Sequence, residues 1–351
     1  MKKAMQAVLI FILFVFVAGI GAGCGSDAGK KAEDQSKQAE QYLIRFAGSL
    51  PANHHISLAQ ERFKKIVEEK SNGKVQVQVY PAGQLYSDKD MVDVVPRGGV
   101  ELAVINWGMW TGLVPELNIS GLVPLYSDTG HWLRVFADDT EIRKFFADAL
   151  EKKGNAKFLG WLDYGESCLL SKKPVKTMQD FKGMKIRAFT ETQNYFLQGV
   201  GASPALISSG EMYQGLQRGV IDGVLSGPTS FIQRKLTEVA KNVTKFNLQY
   251  AVFTMVANLD YWNKLPKEIQ QIILEAAQET EKWCREETKK EDEKAWKTLE
   301  QMPDIKIHPL TGEEIKKWRD AGLPLQVEKF SKSLGDPKVV EHLLEVVEKY
   351  R

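Results

Sequence analysis

Few residues in this chain have the type and spacing to do chemistry. The most informative is Arg187, within Met184 to Phe189 (MKIRAF). Strand alternation puts Lys185, Arg187 and Phe189 on one face and Met184, Ile186 and Ala188 on the other, so Arg187 points away from the apolar side. A guanidinium offers two parallel donors that match a carboxylate and stays charged at working pH. The spacing alone leaves two readings open, a carboxylate anchor or a surface arginine paired with a neighbour such as Glu191. Covalent chemistry has little support. There is no GxSxG elbow, and the single Ser-x-x-Lys match, Ser71 to Lys74, lacks its Ser-Asp-Asn and Lys-Thr-Gly partners. No Cys/His spacing fits a metal site, and the reading calls for no cofactor.

The stretch that positions Arg187 runs from Lys182 to Pro228. Lys182-Gly183 reads as a turn before the arginine strand, and Glu191 to Val200 as a helix. Gly201 to Pro204 turns the chain, Ala205 to Ile207 is a short strand, and Ser209 is the expected N-cap of a helix carrying Met212 and Leu216 on its buried face. Gly219 ends that helix, and Ile221 to Leu225 returns as strand. Upstream, Tyr42 to Leu50, Val75 to Val79 and Val100 to Asn106 read as strands, separated by helices over Ser57 to Lys70 and Asp88 to Val95. That alternation predicts a mainly parallel sheet with helices on both faces. Trp107, Trp110, Pro115 and Pro124 follow the third strand, where open α/β sheets bind ligands. His131 to Lys153 is expected to be one or two helices and Lys157 to Tyr164 a strand, after which Gly165 opens a second α/β region. Thr229 to Ala240 reads as helix, Tyr250 to Asn258 as strand, and Lys267 to Gln301 as one long helix with a buried stripe including Ile269, Ile273, Ala276, Trp283, Trp296 and Leu299. Asp304 to Ile307 and the helices around Glu313 to Arg319 and Lys338 to Tyr350 complete the chain.

Of the 351 residues, 43% are hydrophobic and 26% charged, an ordinary globular balance. The formal charge of +2 falls to zero without Lys2 and Lys3, which gives no basic face for nucleic acid. Those lysines precede an apolar run of roughly 14 residues, Ala7 to Ile20, shorter than the ~20 needed to span a bilayer, and then Gly21-Ala22-Gly23. This reads as a signal peptide over residues 1–23. Cys24 directly behind it resembles the lipobox of bacterial lipoproteins, whose thiol takes a diacylglycerol, although Gly21 stands where leucine is preferred. Residues 24–41 are too polar to build a core and read as a lipidated start and flexible tether. Cys168 and Cys284 are left, and the sequence does not decide whether they pair. The five histidines read as solvated or packed, with His54 and His55 in a loop.

The order of these features resembles the solute-binding proteins of tripartite ATP-independent periplasmic (TRAP) transporters, the DctP family. The matching residues are Asn72-Gly73-Lys74, Pro81-Ala82-Gly83-Gln84-Leu85, Gln179-Asp180-Phe181-Lys182-Gly183, Met184-Lys185-Ile186-Arg187, Gly201-Ala202 and Pro204. They continue through Glu211-Met212-Tyr213-Gln214-Gly215-Leu216-Gln217-Arg218-Gly219 and Ile221-Asp222-Gly223. The resemblance covers about residues 42 to 300. It implies an α/β, two-lobed type II periplasmic-binding fold with a long helix spanning both lobes, lobe I being 42–164 plus 253–292 and lobe II 165–252 plus 293–351. It also implies that Arg187 pairs with the carboxylate of an organic acid in the cleft, that the ligand goes to a membrane permease, and that the protein is a periplasmic or cell-surface lipoprotein rather than an enzyme. Two departures shape the ligand. No second arginine follows the first lobe crossing, where Gly165-Glu166-Ser167-Cys168 stands, and the usual Asp-Gly-Gln-Glu-Asn-Pro is replaced by Asp222 to Pro228. A monocarboxylate with an apolar or hydroxylated body is therefore expected, held by Arg187 together with Glu166, Tyr164, Trp107, Trp110, Tyr213, Phe231 and Ser226. The other classes to separate are the binding subunit of an ATP-driven importer or a sensor, and a lipid-anchored enzyme.

Overall fold

The computed structural model describes residues 41–351 apart from 123–124 and 127–128. The expected signal peptide, Cys24, the tether and Pro124 lie outside the described residues. The first half follows the expected order: β1 (Tyr42–Gly48), α1 (His55–Lys70), β2 (Val75–Tyr80), α2 (Met91–Val94) and β3 (Leu102–Asn106). α1 starts two residues earlier than its apolar pattern suggests because His54 is its N-cap, Nδ1 accepting the Ile56 amide. Behind β3 the chain makes two 3-10 turns over Trp107–Gly112 and Pro115–Gly121, then α3 (Thr129–Val135) and α4 (Glu141–Gly154).

β4 (Ala156–Ser171) differs from expectation: it does not stop at Gly165 but runs on for 16 residues. Gly165 adopts φ +108° at an irregularity in the pairing with β8, so what reads as a break is a bend inside one strand. The second half holds β5 (Lys185–Arg187), α5 (Glu191–Gly199), β6 (Ser203–Ala205), α6 (Met212–Gln217), β7 (Gly223–Ser226) and α7 (Pro228–Gln233). Ser208 rather than Ser209 is the cap ahead of α6, sharing a reciprocal capping box with Glu211. β8 (Asn242–Asn258), α8 (Leu259–Lys264), α9 (Lys267–Gln301), β9 (Lys306–Pro309), α10 (Gly312–Leu334) and α11 (Pro337–Lys349) complete the chain.

The strands form one sheet in the order β2-β1-β3-β8-β4-β7-β5-β6, with β9 on β8. Parallel pairs β2/β1/β3 lie at one end and β7/β5/β6 at the other. Antiparallel β4 and β8 join them: the end of β8 pairs with β3, its start pairs with β9, and the end of β4 pairs with β7. At about 3.3 Å per residue each of these strands is long enough, roughly 50 Å, to serve both halves. The fold is therefore two α/β lobes sharing two long strands.

α9 lies along the back. Its buried positions Ile269, Ile273, Ala276, Thr280, Cys284 and Thr288 recur every three or four residues, and after a two-turn step Ala295 and Leu299 continue the same face. Trp283 and Trp296, expected on that stripe, are only partly buried at its edge. Both Cys168 and Cys284 are buried free thiols. No described helix is long and apolar enough to cross a membrane.

Candidate functional site

The C-terminal ends of the parallel strands in the two lobes face each other, the place where open α/β sheets bind ligands. A small, partly open cavity of about 30 Å³ lies there. Asp88, Asn106 and Met109 line it from the first lobe. Arg187, Ser226 and Arg234 line it from the second, and Tyr164 and Phe253 from the long strands between them.

Arg187 ends β5 and is 3% exposed. Its Nε and Nη1 donate to the carbonyls of Ile207 (3.3 Å) and Leu225 (3.4 Å), which aim the guanidinium without neutralising it. Glu191 is not its partner, because that carboxylate accepts the Tyr195 hydroxyl. Among the described residues no carboxylate forms an ion pair with Arg187. Burial lowers its pKa to about 10, with the nearby Asp88 charge opposing that fall. A buried cation held only by neutral oxygens is costly until an anion arrives, and a water-poor cavity strengthens the pairing when it does. Phe189, two residues on, places its ring 5.5 Å from the guanidinium carbon.

Tyr164 is the other fixed wall. Its hydroxyl donates to Ser230 Oγ (2.7 Å), accepts the Gly227 amide (3.2 Å) and meets Ser226 Oγ at 2.8 Å. Glycine is required at 227, since a Cβ there would lie 2.7 Å from the Tyr164 ring. Pro228 follows as the first residue of α7, a position suited to its missing N–H. On the first-lobe side the ring of buried His54 stacks on Tyr164 at 5.4 Å. Burial holds His54 well below the usual histidine range and lowers His55 to about 4, so both rings are neutral at pH 7.

Of the eight residues named from sequence, Arg187, Tyr164 and Ser226 line the cavity. The other five lie elsewhere. Trp107 and Trp110 are fully buried in the first-lobe core, Trp107 filling the space left by Gly121 and Trp110 donating Nε1 to Thr254 Oγ1. Phe231 is a core residue of the second lobe. Tyr213 turns outward to bond Glu238, and Glu166 follows the β4 bend with its amide on Asp292. For Trp107, Trp110, Phe231 and Tyr213 the side chain packs or bonds within its own lobe, which spacing along the chain does not reveal.

Two charged residues of the cavity went unrecognised. Arg234 follows α7 and donates Nη2 to the Ser49 carbonyl (3.2 Å) and to Ser209 Oγ (3.4 Å). Asp88 accepts the Ser209 amide at 3.1 Å. The expectation that Arg187 is the lone cation is therefore corrected: a second arginine reaches the cavity from α7 instead of from β4. Nothing in SFIQRKL marks Arg234 out before the fold brings it to Asp88, 146 positions away. The bonds from Arg234 to Ser49 and from Ser209 to Asp88 cross between the lobes, as do those from Lys89 Nζ to the Leu206 carbonyl (2.8 Å) and from Gln233 to the Asn53 carbonyl (3.4 Å). Among the described residues no group of three His, Cys, Asp or Glu side chains is arranged to hold a metal ion.

The family model for bacterial extracellular solute-binding proteins, family 7 (DctP), matches residues 46–333. The chain belongs to this family. The solute-binding protein is 27% identical over 311 residues, 88% of its length and 92% of the relative's, to the C4-dicarboxylate-binding periplasmic protein DctP of Rhodobacter capsulatus. It is 30% identical over 257 residues, 73% of its length and 77% of the relative's, to a solute-binding protein of Sulfitobacter sp. strain NAS-14.1. Its fold is similar to that of a TRAP periplasmic solute-binding protein of Sulfurospirillum deleyianum crystallised with succinate. There the TM-score is 0.81 and the identity 29%, over 89% of this chain and 99% of the other. The two-lobed fold with a helix along its back is thus the architecture of TRAP solute-binding proteins.

Proposed function

We propose that this TRAP solute-binding protein captures a monocarboxylate in the cleft between its lobes and presents it, closed, to a membrane permease. The observation that carries the reading is Arg187, a buried cation whose side-chain bonds go only to neutral carbonyls. A ligand carboxylate supplies the missing charge, and the pairing gains because few waters compete for it. Charge balance favours one carboxylate. Arg187 and Arg234 bring two positive charges and Asp88 one negative, leaving a single positive charge for the ligand to neutralise. The C4-dicarboxylate named for the Rhodobacter relative and the succinate in the Sulfurospirillum structure support a second reading, in which Arg234 takes a second carboxylate.

Closure follows from the bonds that cross the cleft. Ligand bound to both lobes favours the state in which Asp88, Lys89, Gln233 and Arg234 bridge them, an instance of the hinge closure general among periplasmic binding proteins. The lobe boundaries fall at Tyr164/Gly165 and near Val252, where β4 and β8 pass from one half of the sheet to the other. No step requires turnover, so the protein acts as a carrier and not as an enzyme. Cys24 would tether it to the membrane on the extracytoplasmic side, with residues 25–41 as the leash.

Isothermal titration of wild type and Arg187→Ala with a panel of organic acids tests this. The reading expects a monocarboxylate to bind tightest and the variant to lose at least a hundredfold in affinity. Succinate binding more tightly than every monocarboxylate would establish the dicarboxylate reading instead.

A further inference from the structure

Asp88 and Arg234 share Ser209 without closing on each other. Asp88 Oδ2 accepts the Ser209 amide while Arg234 Nη2 donates to the Ser209 hydroxyl. Each keeps one buried atom without a protein partner, Oδ1 of Asp88 and Nε of Arg234. Asp88 is only 5% exposed. Both residues, with Ser209, line the Arg187 cavity and also a second pocket bounded by Ser49 and Gly83, so they stand between the two. A buried acceptor and a buried donor left unmet in the lining of one cavity are costly, the more so because both groups are charged.

We propose that this pair is a second ligand subsite that selects a hydroxyl group. Resting on the carboxylate–Arg187 reading, it assigns the ligand to the hydroxy acids. A hydroxyl satisfies both atoms at once: its O–H donates to Asp88 Oδ1 and its lone pair accepts from Arg234 Nε–H. An ammonium donates to Asp88 but offers Arg234 no acceptor and sets two cations together. A second carboxylate accepts from Arg234 but brings its lone pairs against those of Asp88. A methyl group leaves both atoms unmet. Only a group that donates and accepts fits, and the subsite rejects the deoxy analogue for the same reason that polar pockets reject ligands lacking the expected hydroxyl.

The test is a calorimetric comparison of 2-, 3- and 4-hydroxybutyrate, 3-aminobutyrate, succinate and butyrate on the purified protein and on Asp88→Asn, Arg234→Gln and Arg187→Ala. At least one hydroxybutyrate should bind about ten- to a hundredfold tighter than butyrate. Asp88→Asn and Arg234→Gln should each bring the ratio of hydroxybutyrate to butyrate affinity down to about one, whereas a merely structural role would weaken both acids alike and keep the ratio. Butyrate matching all three hydroxy acids would show that the pair holds only water and overturn the subsite. Aminobutyrate or succinate ranking first would overturn it equally. Arg187→Ala reports on the anchor alone: loss of every acid in that variant, with a flat hydroxyl ratio in the wild type, would remove the subsite and leave the carboxylate reading standing. Wild type binding no acid would remove both.

Discussion

The carboxylate of Asp292 occupies the space in which a Cβ on Gly165 would lie, its Oδ2 only 2.2 Å from that position. Gly165 is the bend of β4 and Asp292 is a partly buried residue of α9 between Thr288 and Ala295, so the long helix is keyed to the crossing between the lobes at this contact. The same carboxylate accepts the Glu166 amide (3.3 Å) and the Thr229 hydroxyl (3.3 Å), tying α9 to the strand and to α7 at once.

Gly165→Ala should therefore be among the most destabilising single changes in the protein. A side chain at φ +108° is strained whatever the space, and here the space is also taken. We expect a loss of more than about 2 kcal/mol, a fall in Tm of several degrees, measured by thermal denaturation. A variant within 1 °C of wild type would contradict the keyed contact.

The stability contributed at Asp292 should depend on pH. Burial raises its pKa to about 7, with Glu166 and Glu291 nearby adding to the rise. The folded state then binds a proton that the unfolded chain, with an ordinary carboxylate near 4, has already lost, so the cost of ionising Asp292 grows between pH 4 and 7 and stability falls as pH rises through that window. Asp292→Asn should stabilise relative to wild type more at pH 8 than at pH 5. Differential scanning calorimetry at the two pH values gives the comparison, and an equal or reversed difference would count against the assignment.

Gly227→Ala should weaken ligand binding more than it weakens the fold. The added methyl meets the Tyr164 ring edge at 2.7 Å and pushes the hydroxyl off Ser226 and Ser230, both of which line the cavity. We expect at least a tenfold loss in affinity for any acid the wild type binds, because ring displacements under 1 Å disturb a preorganised site. Unchanged affinity would show that the Tyr164 wall does not touch the ligand.

Cys168 and Cys284 should resist alkylation in the native protein. Both thiols are buried and burial pushes their pKa well above the usual range, so little thiolate forms at pH 8. Iodoacetamide followed by peptide mapping should label neither until denaturant is added. Rapid labelling of either thiol in the folded protein would place it outside the core.

The periodic parts of the fold were legible from the residues. α9 was readable to its ends because its stripe of Ile269, Ile273, Ala276 and Leu299 keeps a helical period for 35 residues. β1, β2 and β3 were readable from alternation and from the turns between them. The continuity of β4 was not, because Gly165 looks the same whether it ends a strand or bends one. Arg187 stood out because the residues flanking it, Ile186 and Ala188, are apolar and because it sits in the matched Met184-Lys185-Ile186-Arg187 run. Asp88 and Arg234 did not, since each sits in ordinary polar sequence and becomes part of a site only when the lobes meet. Trp107 and Trp110 were misplaced for the opposite reason: aromatic residues after a strand suit a pocket and a core equally, and here the core of the first lobe took them.

Native mass spectrometry of the purified protein bears most directly on the central assignment, since a small acid retained from the host is seen as an adduct of defined mass. The account predicts that wild type carries or accepts one carboxylic acid per chain and that Arg187→Ala, folded by its circular dichroism and melting curve, carries none at the same ligand concentration. Retention of the acid by Arg187→Ala at unchanged affinity would contradict it.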